Sequence, residues 1–174
     1  MGSQPEAPLL RLAILEADTP QPQTAAAYGT YGGLFASLFT AACAPQPVAS
    51  VLTITKHDVV RAPDSAYPAL DDIDAILITG SRHSAYDDDE WIRRLVAYTR
   101  AAIEGGRVRV IGVCFGHQIA GLALGAEVRR SEKGWEISVM DVDLSEDGRR
   151  LFGLKKLVSG TSTYPSRCAS SVCC

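Results

Sequence analysis

The chain reads as an α/β protein, a doubly wound, mostly parallel sheet with flanking helices. Three features point to it. Short apolar runs at residues 9–16, 73–79 and 108–113 have the length of strands. The run IDAILIT at 73–79 lacks the alternation of a half-exposed sheet, as expected of a parallel strand covered on both faces. Segments with helical spacing separate these runs, giving the order β-α-β-β-α-β-α-β.

Each element has its own signals. Residues 1–8 are expected to be a disordered lead, and residues 9–16 the first strand. The Pro- and Gln-rich residues 19–24 are expected to be a loop. The run Tyr28-Gly29-Thr30-Tyr31-Gly32-Gly33 then opens a helix from about Leu34 to Cys43. Leu34, Phe35, Leu38 and Phe39 line one side of it, and Pro45 and Pro47 close it. Residues 51–60 are a second strand and 73–79 a third, followed by the turn Gly80-Ser81-Arg82-His83-Ser84. Asp87, Asp88, Asp89 and Glu90 precede Trp91, where acids cap a helix and complement its dipole. That helix runs to about Glu104, with Trp91, Leu95, Tyr98 or Thr99, and Ile103 along one stripe, until Gly105-Gly106 stops it. Residues 108–113 are the fourth strand, 116–124 a helix, and 127–142 strand and hairpin material. There is no internal repeat, and low-complexity character is confined to residues 159–174.

A length of 174 residues suits one domain with a sizeable core, and 47% hydrophobic with 21% charged residues is an ordinary globular balance. The net charge is −3, and Arg and Lys are scattered among acids. Without a basic stripe, nucleic acid is not an expected partner. No apolar run reaches the roughly 18 residues that span a bilayer, so no membrane is expected. The N-terminus has neither a basic region nor a hydrophobic one, which points to the cytosol and reduced thiols.

The cysteines are Cys43, Cys114, Cys168, Cys173 and Cys174. Cys43, at a helix end, reads as a small core residue. The last three lack paired CxxC spacing and a nearby histidine, so no metal site is expected. No GxGxxG follows the first strand and no GxxxxGK[ST] occurs, so no nucleotide cofactor is expected either.

The chemistry concentrates at residues 108–118, where a strand runs into Gly112-Val113-Cys114-Phe115-Gly116 and then a helix. This is the cysteine form of a nucleophile elbow. A sharp strand-to-helix turn holds the nucleophile in a strained backbone geometry, and glycines two residues either side let neighbouring backbone approach. A helix N-terminus beside a thiol favours the thiolate. The Phe115 N–H is placed to serve an oxyanion hole. A buried cysteine at a strand end is the plainer alternative. The loop Thr79-Gly80-Ser81 opens on the same C-terminal sheet edge, so Gly80 is the second candidate donor; alone, it reads equally well as a structural turn.

At these residues the sequence resembles the class I glutamine amidotransferases, more narrowly their stand-alone cytosolic members, which include γ-glutamyl peptidases and fungal amidotransferase-like proteins. The resemblance runs from about Leu9 to Gly153. It is carried by Tyr28 to Gly32, ITGSRHSAYDD at 78–88, GVCFGHQIAGLALGAEV at 112–128 and KGWEISV at 133–139. It implies a flavodoxin-like domain over residues 9–153, followed by a divergent tail at 154–174. It also implies that Cys114 attacks the γ-carbonyl of a glutamine or γ-glutamyl group, with Gly80 and Phe115 as oxyanion donors. Ser81, Gln118, Trp135 and Glu136 would then hold the substrate. Gln118 reads alternatively as a helix-surface amide, Trp135 as core packing, and His117 as structural.

The family also places a His-x-Glu pair well after the elbow. The histidine takes the thiol proton and protonates the leaving group, and the glutamate orients it. The histidines here are His57, His83 and His117, and no acid follows Asp147. The resemblance therefore implies a partial domain, truncated before that pair, with apolar surface left open near strand four and the 127–142 hairpin. Three functions fit: a glutaminase delivering ammonia to a separate biosynthetic enzyme, a γ-glutamyl peptidase acting on glutathione-type conjugates, or a catalytically inactive binding subunit.

Overall fold

The structure, a computed structural model, describes residues 9–61, 66–129 and 137–162. The lead at 1–8, the substrate candidates Trp135 and Glu136, and Cys168, Cys173 and Cys174 lie outside the described residues.

Four strands form one parallel sheet in the order β2-β1-β3-β4: β1 Leu10–Glu16, β2 Leu52–Asp58, β3 Ala75–Ile78 and β4 Arg109–Gly112. The central strands β1 and β3 are covered on both faces, as their unbroken apolar runs required. Ala13, Leu15, Ile76 and Ile78 point toward the core built with α3 (Glu90–Glu104) and α4 (Phe115–Ala123). Leu12, Ile14 and Leu77 point the other way, where Phe35 and Phe39 of α2 (Tyr31–Cys43) pack on them. Of these strand residues none is more than 4% exposed, so each removes most of its apolar surface from water, worth about 1.5–3 kcal/mol for a Leu or Ile. At the opposite end, Arg11 bonds Asp74 through Nε (3.1 Å) and Nη2 (2.8 Å), tying β1 to the residue before β3.

Several boundaries differ from expectation, for identifiable reasons. The expected loop at 19–24 instead leads into α1, Pro22–Tyr28. Pro22 stands in its first turn, where a missing N–H costs nothing, and Ala25, Ala26 and Ala27 are strong helix formers. Helix α2 begins at Tyr31 rather than Leu34, because the Thr30 hydroxyl accepts from the Gly33 N–H and the Glu16 carboxylate accepts from the Gly32 N–H at 2.6 Å. Gly32 is needed there, since a Cβ would lie 2.8 Å from both Glu16 Oε1 and Lys56 Cγ. Cys43 is half-buried and outside both core clusters, so it is not a core residue. In α3 the buried stripe is Ile92, Leu95, Thr99 and Ala102, one residue round from the expected one for part of its length. Its N-cap Asp89 makes no side-chain capping bond.

Strands β5 (Ile137–Asp143) and β6 (Lys156–Ser162) pair antiparallel in a separate two-stranded sheet, with α5 (Glu146–Phe152) between them. Residues 127–129 are irregular, and β6 falls within the stretch expected to be a tail. Ile111 and Val113 at the β4 edge and Val139 and Val142 in β5 are exposed.

Candidate functional site

Cys114 sits between β4 and α4 as the N-cap of α4, with φ 52° and ψ −104°. It is the one non-glycine residue at positive φ among the described residues. Such a conformation costs of order 1–3 kcal/mol and persists only where the surroundings enforce it. Here they do so through absent side chains. A Cβ on Gly112 would lie 2.5 Å from the Gly116 carbonyl and 2.6 Å from His117 N. A Cβ on Gly116 would lie 2.3 Å from Ile78 O. Strand β4, the first turn of α4 and strand β3 are therefore in backbone contact. The Cys114 carbonyl accepts from His117 N (3.0 Å) and Gln118 N (3.2 Å), which starts the helix immediately after the turn. The side chain of Cys114 is exposed.

Gly80 is brought to Cys114. A Cβ on Gly80 would lie 3.7 Å from Cys114 Cβ and 3.9 Å from Val113 O, so the two loops touch at van der Waals distance. Neither the Gly80 N–H nor the Phe115 N–H takes a hydrogen-bond partner among the described residues. Phe115 is 1% exposed, and its ring stacks on Trp91 of α3 with centroids 5.6 Å apart. His83 meets the same Trp91 edge-on at 5.2 Å.

The Gly80 loop is held from β1. Thr79, fully buried, accepts from Ala17 N through its hydroxyl (2.9 Å) and donates to Gly80 O (3.0 Å). The adjacent Asp18 carboxylate accepts from Arg82 N (2.8 Å), Arg82 Nε (3.1 Å), Arg82 Nη2 (3.0 Å) and Thr19 N (2.7 Å). Burial alone would raise the Asp18 carboxyl, but the Arg82 and Thr19 bonds outweigh it and hold it below its ordinary value. Burial pushes the phenol of Tyr31, at the start of α2, upward; the charge of Asp18 adds to this and that of Arg82 opposes it.

Among the sequence-derived candidates, the structure thus brings together Cys114, Gly80 and Phe115. Gln118 is half-buried on α4, one turn beyond Cys114. The Ser81 hydroxyl accepts from His83 N at 3.0 Å and caps its own turn. Among the described residues no hydrogen bond joins a histidine to Cys114; His57 pairs with Thr55 on β2. Asp18 does not stand out in the sequence, and Thr79 and Tyr31 appear there only within motifs, without a role of their own. The available signal is position: Thr79 directly follows β3, and Asp18 stands two residues after β1, at the edge where Cys114 stands. Among the described residues no group of His, Cys, Asp and Glu is arranged to hold a metal, and no helix is long and apolar enough to cross a membrane.

The family model for class-I glutamine amidotransferases matches residues 49–164 of this chain. The chain belongs to that family. A glutamine amidotransferase-like protein of Schizosaccharomyces pombe is 36% identical over 148 residues, covering 83% of this chain and 59% of the relative. Gamma-glutamyl peptidase 3 of Arabidopsis thaliana is 29% identical over 127 residues, 71% of this chain and 47% of its own length. The chain thus spans roughly half to three-fifths of these relatives. Among solved structures, a GMP synthase-type protein from Thermoplasma acidophilum superposes with a TM-score of 0.56 at 15% identity, over 88% of this chain and 64% of that one. A glutamine amidotransferase from Methylobacillus flagellatus gives 0.53 at 18% identity, over 90% and 55%. These neighbours share the flavodoxin-like amidotransferase fold.

Proposed function

We propose that residues 9–153 form the nucleophile-bearing part of a glutamine amidotransferase-type enzyme, with Cys114 as nucleophile and glutamine as substrate. The observation that supports this best is the strained Cys114 backbone beside two unpartnered N–H groups, those of Gly80 and Phe115. The Cys114 sulfur, once deprotonated, attacks the γ-carbonyl carbon of glutamine. The carbonyl π electrons move to oxygen, where the Gly80 and Phe115 N–H groups meet the developing charge. Collapse of this intermediate breaks the C–N bond, the proton taken from the thiol passes to the leaving nitrogen, ammonia departs, and a glutamyl thioester remains on Cys114. Water then attacks the thioester, glutamate departs, and the thiol is restored. Gln118 and Ser81, with Trp135 and Glu136 from the KGWE segment, are proposed to hold the glutamyl group. A separate enzyme is the proposed acceptor of the ammonia.

A γ-glutamyl peptidase reading uses the same bond-making steps with an amine as leaving group, and the γ-glutamyl peptidases among the relatives support it. The test measures ammonia and glutamate release from glutamine, and glutamate release from a γ-glutamyl conjugate. It compares the chain, its Cys114→Ala variant, and the chain joined to the C-terminal part of the S. pombe relative, which brings a His-x-Glu pair if the relative keeps the family pattern. The joined protein is expected to turn over about 10²–10⁴-fold faster than the chain as it stands, the range of a general base. Turnover that survives Cys114→Ala in the joined protein would overturn the nucleophile assignment. Silence of every form favours an inactive binding subunit.

A further inference from the structure

Beyond the nucleophile and its oxyanion donors, the sheet edge holds an arginine fixed in an unusual way. Arg82 stands two residues after Gly80 in the β3–α3 loop, with its side chain 66% exposed. Its partner Asp18 has a side chain only 6% exposed. An exposed arginine commonly samples many rotamers. This one is pinned by its own backbone N–H, its Nε and its Nη2, all on one buried carboxylate. The Nη1 group makes no hydrogen bond among the described residues, and Nη2 keeps a second N–H.

Gly80, two residues before Arg82, meets Cys114 at van der Waals distance, so the loop that carries Arg82 borders the sulfur. Asp18 cancels the formal charge of Arg82. What remains is a pair of directed N–H donors in a rigid plane, which suits a planar carboxylate far better than a diffuse anion. A substrate with its γ-carbonyl at Cys114 carries such a group at the other end of the glutamyl skeleton.

We propose that Arg82, preset by Asp18, binds the α-carboxylate of the glutamyl substrate and sets the selectivity of the site for γ-glutamyl over simple amides. This rests on the assignment of Cys114 as nucleophile. Asp18 is a positioning residue in this scheme, since it acts only through Arg82 and the loop that carries Gly80.

The test reads alkylation of Cys114 rather than turnover. The full chain is treated with a chloromethyl ketone analogue of L-glutamine, whose chloride the Cys114 sulfur displaces. Iodoacetamide, which has no carboxylate, is the parallel reagent, and adducts are located by mass spectrometry of the Cys114 peptide. Wild-type protein is expected to show saturable alkylation by the chloroketone. Arg82→Ala is expected to raise the half-saturating concentration about 10–100-fold, the loss of charge-assisted bonds to a carboxylate, with a much smaller change in the iodoacetamide rate. Arg82→Lys should recover only part of the loss, and Asp18→Asn should shift the same constant in the same direction.

If wild type saturates but Arg82→Ala leaves the constant unchanged, the carboxylate role is overturned and the nucleophile assignment stands. If Arg82→Ala slows iodoacetamide as much as the chloroketone, Arg82 shapes the loop rather than the substrate, which also overturns the proposal. If the chloroketone shows no saturation at Cys114 in wild type, both readings fail together.

Discussion

Two glycines of helix α4 are expected to respond oppositely to the same substitution. Alanine is favoured over glycine inside a helix by about 1 kcal/mol. At Gly121 a Cβ would meet Ala126 Cβ and Val128 Cγ2 at 3.8 Å, ordinary contact, so Gly121→Ala should gain about 0.5–1 kcal/mol. At Gly116 the new Cβ would lie 2.3 Å from the Ile78 carbonyl oxygen and 2.8 Å from Ile78 Cβ. The obstacle is mainly backbone, and that carbonyl already accepts from Val113 N at 3.0 Å across β3 and β4. Relieving the overlap must push α4 off the sheet, at a cost near the upper end of about 1–3 kcal/mol for overpacking. The strained bond to Val113 adds about 1 kcal/mol. Set against the helix-propensity gain, Gly116→Ala should lose about 2–3 kcal/mol. Urea unfolding followed by circular dichroism reads both variants, with unchanged denaturant slopes confirming that the midpoints compare stability alone. Equal stability of the two variants would refute the claim that the Cys114 turn is enforced by backbone contact.

Two further outcomes follow from the same site. Because the Asp18 carboxyl is held below its ordinary value of 3.8, its bonds to Arg82 stabilise the fold fully above about pH 4 and are lost as pH falls lower. Asp18→Asn should lower stability by about 1–3 kcal/mol at neutral pH and flatten the fall in unfolding midpoint below pH 4; an unchanged acid limb would count against the pairing. At position 114, Gly adopts φ 52° without the steric cost a Cβ carries there, so Cys114→Gly should be more stable than Cys114→Ala by about 1 kcal/mol. Thermal unfolding of the pair decides this, and a more stable Cys114→Ala would show the turn to be unstrained.

The elbow is legible in the sequence because its cause is local. Gly112, Cys114 and Gly116 lie within five consecutive residues, and the flanking strand and helix declare themselves by pattern. The start of α2 is not legible, because the carboxylate that receives the Gly32 N–H belongs to Glu16 on another element. Helix α1 escapes the pattern for a different reason: Pro22 reads as a breaker, whereas in a first turn it helps. The hold on the Gly80 loop depends on Asp18 and Arg82, 64 positions apart, and no short-range pattern announces such a pairing. Cys43 shows the limit of residue-type reasoning, since the apolar habit of a free thiol does not decide which side of α2 it occupies.

The row of rings formed by His83, Trp91 and Phe115 has an optical consequence. The chain contains only two tryptophans, and one of them lies against the side chain of the residue proposed to donate to the oxyanion. Indole emission depends on the polarity and packing around the ring. A molecule that settles between Gly80 and Phe115 and shifts the Phe115 ring therefore changes the light from Trp91. The protein thus carries its own reporter of site occupancy, readable in a stopped-flow cuvette without label, ammonia assay or turnover.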